Sequence, residues 1–132
     1  MSQLVLIVDD EPMARTLLRL MLVRAGYEVL EAENGMDALT IVRRSPPDLI
    51  LLDVMMPEMD GFAVCEAIRQ DGRTADLPVV MLSAKTDVET ISKGLQVGAT
   101  KYLTKPITPE SLTRHVREIL HPDQEHDAKE EL

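Results

Sequence analysis

Apolar residues along the chain fall into two alternating patterns. Short unbroken apolar runs occupy 4–8, 49–52 and 79–82. Each run is too short for a helix, and such runs are typical of strands that are buried on both faces of a sheet. Two further segments, 27–31 and 101–103, mix polar and apolar residues as edge strands do. The first, third and fourth strands are therefore predicted at the centre of a sheet, with the second and fifth at its edges.

Between these runs, apolar residues recur every three or four positions, as they do in amphipathic helices that turn one face to the core. Pro12 and Pro109 suit first helical positions. Asn34 and Thr108 suit N-caps, and Gly26 suits a helix end. The residues that carry the helical spacing are, in chain order, Met13, Leu17, Leu20, Met21 and Arg24; Met36, Leu39 and Val42; Phe62, Cys65, Ile68 and Arg69; Val88, Ile91 and Leu95; and Leu112, Val116 and Ile119.

The alternation of five strands with five helices predicts an α/β fold. Strands that are separated by helices pair in parallel through right-handed crossovers, and the helices then cover both faces of a doubly wound sheet. With the second and fifth strands at the edges, the simplest strand order is 2-1-3-4-5, an order known for such sheets. One domain is expected over residues 1–121. The segment 122–132 contains five acids and one lysine, and we expect a disordered acidic tail there.

Composition and charge narrow the function. The 132 residues are 45% hydrophobic and 28% charged, which is typical of a globular domain. The net charge of −9 argues against direct binding of nucleic acid or of an anionic membrane surface. The chain has one cysteine, no apolar run long enough to span a membrane, and no basic N-terminal region typical of a signal peptide. We therefore expect a cytoplasmic protein.

Polar residues collect where the predicted strands end. Asp9 and Asp10 follow the first strand, Asp53 the third, Ser83 the fourth, and Lys105 lies just beyond the fifth. In open α/β sheets, ligands bind at this edge. Each residue taken alone also has a structural explanation. The paired acids could cap the first helix, Asp53 could form a turn, Ser83 could cap the fourth helix or bond to its own backbone, and Lys105 could be solvated.

Taken together, these residues predict a site that handles phosphoryl groups. Three neighbouring carboxylates would repel one another unless a cation neutralised them, and oxygen ligands favour Mg²⁺ or Mn²⁺ over zinc. The lysine is not needed to hold a metal ion, but it suits an incoming anion. Carboxylates are known nucleophiles that form aspartyl-phosphates.

Four motifs give the chain a specific resemblance. The key residues Asp10, Asp53, Ser83 and Lys105 are separated by 43, 30 and 22 positions. Over about residues 3–120, the chain resembles the receiver domain of two-component response regulators. The segments that carry this resemblance are Val8-Asp9-Asp10-Glu11, Asp53-Val54-Met55-Met56-Pro57-Glu58-Met59-Asp60-Gly61, Leu82-Ser83-Ala84 and Gly98-Ala99-Thr100-Lys101-Tyr102-Leu103-Thr104-Lys105-Pro106.

The resemblance implies a metal-dependent phosphorylation site. Asp53 is then the phospho-acceptor, and Asp10 and Asp53 bind Mg²⁺, for which Mn²⁺ can substitute. Asp9 contributes to the metal site directly or through water. The backbone carbonyl of Met55 supplies a further oxygen ligand.

The resemblance also implies a switch. Lys105 pairs with the phosphoryl group, and the peptide bond between Lys105 and Pro106 is cis. Ser83 and Tyr102 form the switch pair: the hydroxyl moves toward the phosphoryl oxygen and the aromatic ring turns inward. The phosphoryl donor is expected to be a sensor histidine kinase or a phosphotransfer protein.

The implied output is a change in the face formed by the fourth helix, fifth strand and fifth helix. The receiver of that signal, either a downstream protein or an output domain, is not identified by the sequence. The protein is expected to be a monomer or a weak homodimer. It is not expected to be an enzyme beyond Mg-dependent self-phosphorylation and self-dephosphorylation.

Two other functions compete with this interpretation. A phosphohydrolase with an aspartyl intermediate often places an acid/base carboxylate two residues after the nucleophile, but Met55 occupies that position and has no proton to give. A binding module that acts without phosphorylation is the second alternative. The intact Lys105-Pro106 pair argues against it, because a scaffold has no need of that lysine.

Overall fold

The computed structural model of the protein describes residues 2–122. Within this range the chain forms five strands and five helices in strict alternation, as predicted. The strands are β1 Leu4–Val8, β2 Glu28–Ala32, β3 Leu49–Asp53, β4 Val79–Ser83 and β5 Lys101–Thr104. The helices are α1 Pro12–Arg24, α2 Gly35–Arg44, α3 Gly61–Gln70, α4 Val88–Gln96 and α5 Pro109–Leu120.

All neighbouring strands pair in parallel, and the sheet order is β2-β1-β3-β4-β5. The predicted doubly wound fold and strand order are therefore confirmed. The sheet separates two apolar cores. Leu6 and Val8 of β1 pack on the side that includes α2 and α3, whereas Val5 and Ile7 pack on the side of α1 and α5. Alternate strand residues point to opposite faces, which explains why the central strands are apolar at every position.

Strand boundaries differ slightly from the prediction, and the differences concern the functional edge. Asp53 and Ser83 belong to the last positions of β3 and β4, because each still pairs with a residue of the neighbouring strand. Tyr27 lies outside β2. Its backbone N–H instead donates to the Leu22 carbonyl at the end of α1 (3.0 Å).

The predicted helix ends are confirmed. Pro12 and Pro109 begin α1 and α5, and the side chains of Asn34 and Thr108 accept hydrogen bonds at the starts of α2 and α5. Gly26 follows α1 with a φ of 98°, a left-handed conformation that glycine adopts without strain.

The predicted inner face of α1 is wrong. Leu17 and Leu20 are each 52% exposed and Met13 is 68% exposed, whereas Leu18 and Leu22 are buried. Apolar residues occur nearly all round this helix, so the helical spacing fits two stripes equally well. Packing against the sheet selects the stripe that contains Leu18 and Leu22.

Exposed apolar residues also correct the predictions for α2 and α4. Met36 is exposed, and so are Val88 and Leu95 of α4. Gly94 is the buried residue of α4, and a Cβ atom there would lie 2.9 Å from the Met81 sulfur and 3.0 Å from the Tyr102 ring. The helix therefore approaches the sheet through a glycine, which leaves its larger apolar side chains toward solvent.

The first residue of α3 makes an equally close approach beside β3. A Cβ atom on Gly61 would lie 2.5 Å from the Asp53 carbonyl oxygen and 2.9 Å from the Val54 Cα. The Gly61 N–H donates to the Val54 carbonyl (3.0 Å), and Asp60 caps the helix by accepting from the Ala63 N–H. The missing side chain at Gly61 thus lets α3 start directly against the end of β3.

No helix within residues 2–122 is long and apolar enough to cross a membrane. Apart from Pro122, the predicted acidic tail lies outside the residues that the structure describes. The domain boundary at residue 121 and the disorder of the tail remain predictions.

We expect Gly61→Ala to destabilise the protein by about 1–3 kcal/mol, because the new methyl group would overlap the backbone of β3 and force a shift. Gly72→Ala is the matched control, since a Cβ atom there meets nothing within 4 Å. Urea unfolding monitored by circular dichroism measures both changes. Equal free energies of unfolding for the two variants would contradict the role assigned to Gly61.

Candidate functional site

Three carboxylates meet at the carboxyl edge of the sheet. Asp9 and Asp10 follow β1, and Asp53 ends the adjacent strand β3. One oxygen from each of the three side chains can be chosen so that all three atoms lie within 4.8 Å of one another. Asp9 is 2% exposed and Asp53 is 8% exposed, while Asp10 is open to solvent. The structure thus brings together the three predicted acids.

Asp9 is held at both its backbone and its side chain. Its N–H donates to the Ala32 carbonyl (3.2 Å), and its own carbonyl accepts from the Arg15 guanidinium (2.6 Å). Its carboxylate accepts from the Glu11 N–H (2.9 Å) and from the Lys105 ammonium (3.1 Å). The side chain does not cap α1, because the N-cap position belongs to Glu11.

Sequence reasoning missed Arg15. This arginine bonds to the Asp9 carbonyl and also lies 3.3 Å from a Glu31 carboxylate oxygen. It therefore links the turn that carries the acids to the edge strand β2. The sequence offers no signal that would distinguish Arg15 from other arginines on a helix surface, because its partner on the turn is a backbone oxygen.

Only one of the two carboxylate oxygens of Asp53 contacts a hydrogen-bond donor or a cation within residues 2–122. Its Oδ1 accepts from the Met55 N–H (3.3 Å) and lies 3.7 Å from the Lys105 ammonium. Its Oδ2 forms no hydrogen bond with any residue in the described range. Burial is the main cause that raises the pKa of Asp53 to about 6; Lys105 and the Met55 N–H lower it, Asp9 and Asp10 raise it further, and burial outweighs the lowering. The Met55 side chain is 56% exposed beside this carboxylate.

Lys105 lies between the two buried acids. Burial alone lowers the pKa of Lys105, but the negative charges of Asp53 and Asp9 raise it by more, so the net shift is upward and the ammonium stays charged. The Lys105 N–H donates to the Ser83 carbonyl (2.9 Å), which holds this residue beside the end of β4. The Lys105–Pro106 peptide bond is cis.

The side chains of Ser83 and Tyr102 both form hydrogen bonds with the backbone of one residue, Lys85, in the loop after β4. The fully buried Ser83 hydroxyl accepts from the Lys85 N–H (3.1 Å). The Tyr102 hydroxyl donates to the Lys85 carbonyl (2.8 Å). Ser83 therefore bonds to local backbone, while Asp87 caps α4. The two residues of the predicted switch pair are connected through the backbone of Lys85, a link that the sequence did not reveal.

The donor set fits a hard divalent cation. Two oxygen ligands of one Mg²⁺ ion are at most about 4.2 Å apart, since each lies about 2.1 Å from the ion. The three carboxylate oxygens lie within 4.8 Å of one another, close to this limit, and would hold such an ion. Three carboxylates face a single lysine ammonium, so one lysine does not balance their negative charge. Oxygen ligands and uncompensated charge together favour Mg²⁺ or Mn²⁺.

Comparison with known proteins agrees with this geometry. Residues 5–117 match the response regulator receiver domain family. Among solved structures, the chemotaxis protein CheY4 of Vibrio cholerae superposes with a TM-score of 0.87 and 37% identity, over 91% of this chain and all of that one.

Curated relatives include transcriptional regulators. RpaA of Synechocystis, a DNA-binding dual master transcriptional regulator, is 42% identical over 88% of this chain and 48% of its own length. PhoB of Pseudomonas aeruginosa, the phosphate regulon transcriptional regulatory protein, is 41% identical over 88% of this chain and 51% of its own length. The chain thus spans about half the length of the curated relatives that it matches.

The raised pKa of Asp53 predicts a pH-dependent effect of Asp53→Asn on metal-free protein. The folded state holds the Asp53 proton more tightly than an unfolded chain, whose aspartate pKa is about 3.9, so this carboxylate destabilises the fold increasingly as pH rises from 4 toward 7. The neutral amide removes that penalty. We expect Asp53→Asn to stabilise the protein by about 1–3 kcal/mol at pH 7.5, and by much less near pH 4.5.

Urea unfolding in the presence of a chelator measures this difference at each pH. Asp76→Asn, which changes an exposed carboxylate away from the site, is the matched control for removing one negative charge. A difference between Asp53→Asn and the original chain that stays constant from pH 4.5 to 7.5 would contradict the electrostatic explanation.

Proposed function

Because this chain belongs to the receiver domain family of response regulators, we propose that it is a phosphorylation-activated switch with Asp53 as the phospho-acceptor. The donor is a phosphohistidine on a sensor histidine kinase or on a phosphotransfer protein. One observation carries the proposal. The Lys105 ammonium lies 3.1 Å from Asp9 and 3.7 Å from Asp53, above a cluster of three acids whose charge it only partly balances.

The reaction is a transfer between a nitrogen and a carboxylate oxygen. Asp53 Oδ2 attacks phosphorus, an O–P bond forms, the N–P bond breaks, and its electron pair stays on the imidazole nitrogen of the donor. Asp53 suits this role because the Met55 N–H orients Oδ1 and leaves Oδ2 without a hydrogen bond within residues 2–122. The exposed Asp10 marks the open side from which a donor approaches.

Asp10, Asp53 and the Met55 carbonyl would hold Mg²⁺, with Asp9 contributing directly or through water, and Mn²⁺ would serve as a substitute. The bound ion supplies positive charge that stabilises the equatorial phosphoryl oxygens in the transition state. Asp9 and Asp10 contribute carboxylate oxygens to the cluster whether or not Asp53 is modified. The hydrogen bonds to the Asp9 backbone keep its carboxylate aimed at the cluster.

Lys105 changes partners during the reaction. In the unmodified protein its ammonium contacts the carboxylates of Asp9 and Asp53. A phosphoryl group on Asp53 brings further anionic oxygens to the same place, and the lysine then pairs with them in a charge-assisted hydrogen bond. The lysine thus favours both the transfer and the phosphorylated product.

The switch follows from the shared bonds to Lys85. When the Ser83 hydroxyl turns to donate to a phosphoryl oxygen, it no longer accepts from the Lys85 N–H, and the loop after β4 moves. The bond from the Tyr102 hydroxyl to the Lys85 carbonyl is then lost, and the ring turns toward the space left by Ser83. Gly94 packs against that ring, so its movement changes the face formed by α4, β5 and α5.

The partner that reads this face is a downstream protein or an output domain. RpaA is named as a DNA-binding regulator and is about twice as long as this chain. This domain itself, with its net charge of −9, is not expected to contact DNA. Cytoplasmic location and a monomeric or weakly dimeric state remain predictions.

Phosphorylation is tested by incubating the protein with acetyl phosphate and Mg²⁺ and recording intact mass. We expect one acid-labile phosphoryl group on the original chain and on the control Asp76→Asn. We expect none on Asp53→Asn and none when a chelator removes the metal. Undiminished labelling of Asp53→Asn would overturn the assignment of the phospho-acceptor.

Ser83→Ala tests the switch separately from the chemistry. With beryllofluoride as the phosphoryl mimic, we expect amide NMR shifts around Asp53 in both the original chain and the variant. Shifts of α4 and β5 should be largely lost in Ser83→Ala, because its methyl group cannot donate to the phosphoryl oxygen. Tyr102→Phe keeps the ring and lacks only the bond to Lys85. Unchanged α4 and β5 responses in Ser83→Ala would show that the signal bypasses this hydroxyl.

A further inference from the structure

A groove of about 590 Å³ runs between α1 and α5 on the side of the sheet that lies away from α2 and α3. Apolar side chains line this groove. They include Leu17 and Leu20, which the helical spacing predicted in the core but which are each 52% exposed. The residues that define the groove here are Leu17, Leu20, Arg24, Thr113, Arg114 and Arg117. We call this surface the α1–α5 groove.

The α1–α5 groove is basic although the chain as a whole is acidic. Arg24, Arg114 and Arg117 are all exposed, and none of the ion pairs formed among residues 2–122 involves them. The groove contains one acidic side chain, Glu110, which lies beside Pro109 at the start of α5. Apolar surface flanked by arginines that have no ion pair within residues 2–122 suits an acidic segment that carries some apolar groups.

An acidic segment of the chain follows α5, and α5 ends near Arg24 at one end of the groove. The His121 ring stacks on Tyr27 with 6.3 Å between ring centroids, so the end of α5 lies beside the end of α1, close to Arg24. The next ten residues, 123–132, contain five acids and one lysine, and Ala128 and Leu132 are the apolar residues among them.

We propose that residues 123–132 dock in the α1–α5 groove, with their acids on the three arginines and their apolar side chains toward Leu17 and Leu20. The length is sufficient. Ten extended residues reach about 33 Å, and the groove from Arg24 to Leu17 spans about 10 Å along the helix, which leaves several residues for a reversal of direction.

Because the segment is covalently attached to the domain, a weak affinity is enough for it to occupy the groove. A short connection gives an attached segment an effective concentration of about millimolar, so an intrinsic Kd near 1 mM already fills the groove about half of the time. Because the attraction is between exposed charges, it weakens with salt. Docking would also place the segment next to a second hollow of about 420 Å³, which shares Leu17 with the groove and extends to Lys105 and Pro106.

The proposal does not rest on phosphorylation, and it can be tested on the unmodified full chain. A nitroxide is attached to Ala128→Cys, since the single native cysteine, Cys65, is fully buried. Paramagnetic broadening of amide NMR signals then reports which surface the segment visits. We expect the signals of Leu17, Leu20 and Thr113 to lose more than about half of their intensity at low salt, whereas those of α2 remain sharp.

Two sets of substitutions separate charge pairing from chance proximity. Neutralising the segment in the full chain, or removing the arginines of the groove, should each restore the broadened signals, as should high salt. Replacing two exposed arginines of α2 should have no effect. The substitutions are, for the segment, Asp123→Asn, Glu125→Gln, Asp127→Asn, Glu130→Gln and Glu131→Gln; for the groove, Arg24→Ser, Arg114→Ser and Arg117→Ser; and for the control, Arg43→Ser and Arg44→Ser.

Mixing isotope-labelled protein without nitroxide and unlabelled protein with nitroxide detects contacts between molecules. Broadening in that mixture would assign the groove to a second copy and would overturn the proposal. Broadening that is absent from the groove, or that survives neutralisation of the segment, would overturn it as well.

Discussion

The contact of one ammonium group with two buried carboxylates is the interaction on which the site depends. Asp9 and Asp53 are almost fully enclosed, and Lys105 is the cation that reaches both of them. Two buried charges of one sign are costly unless they are compensated, and a single lysine leaves one of them in excess. The site is therefore built with a deficit of positive charge. Burial raises the pKa of Asp53, and the deficit of positive charge explains the fit to a divalent cation.

The sheet order brings these groups together from distant parts of the chain. β1 and β3 are neighbours, so Asp9, which follows β1, and Asp53, which ends β3, come together although 43 residues lie between them in sequence. The backbone bond from Lys105 to Ser83 then sets the lysine beside β4. Gly61 has no side chain, so α3 begins against the Asp53 backbone without displacing it. Precise placement comes from the backbone of the strand ends, with side chains such as Arg15 fixing the turn.

The strands and the site acids could be predicted because each has a local signature. A buried parallel strand must be apolar on both faces, and a ligand site in this architecture must follow strand ends. The faces of α1 and α4 could not be predicted by spacing. Leu17 and Leu20 have the same apolar character as Leu18 and Leu22, and the choice between the two stripes depends on packing that is absent from the local pattern. Arg15 and the Lys85 backbone were missed for a related reason, since main-chain partners leave no trace in residue identity.

The two tyrosines give the molecule built-in optical probes, because the chain contains no tryptophan whose emission would mask them. The Tyr102 hydroxyl is hydrogen-bonded to a carbonyl of the loop after β4, and phenol fluorescence responds to the loss of such a bond. The Tyr27 ring is buried and stacked on His121, where α5 ends. One phenol thus reports on the loop beside the phospho-acceptor and the other on the point from which the acidic segment departs. Steady-state emission can therefore follow both regions without any label.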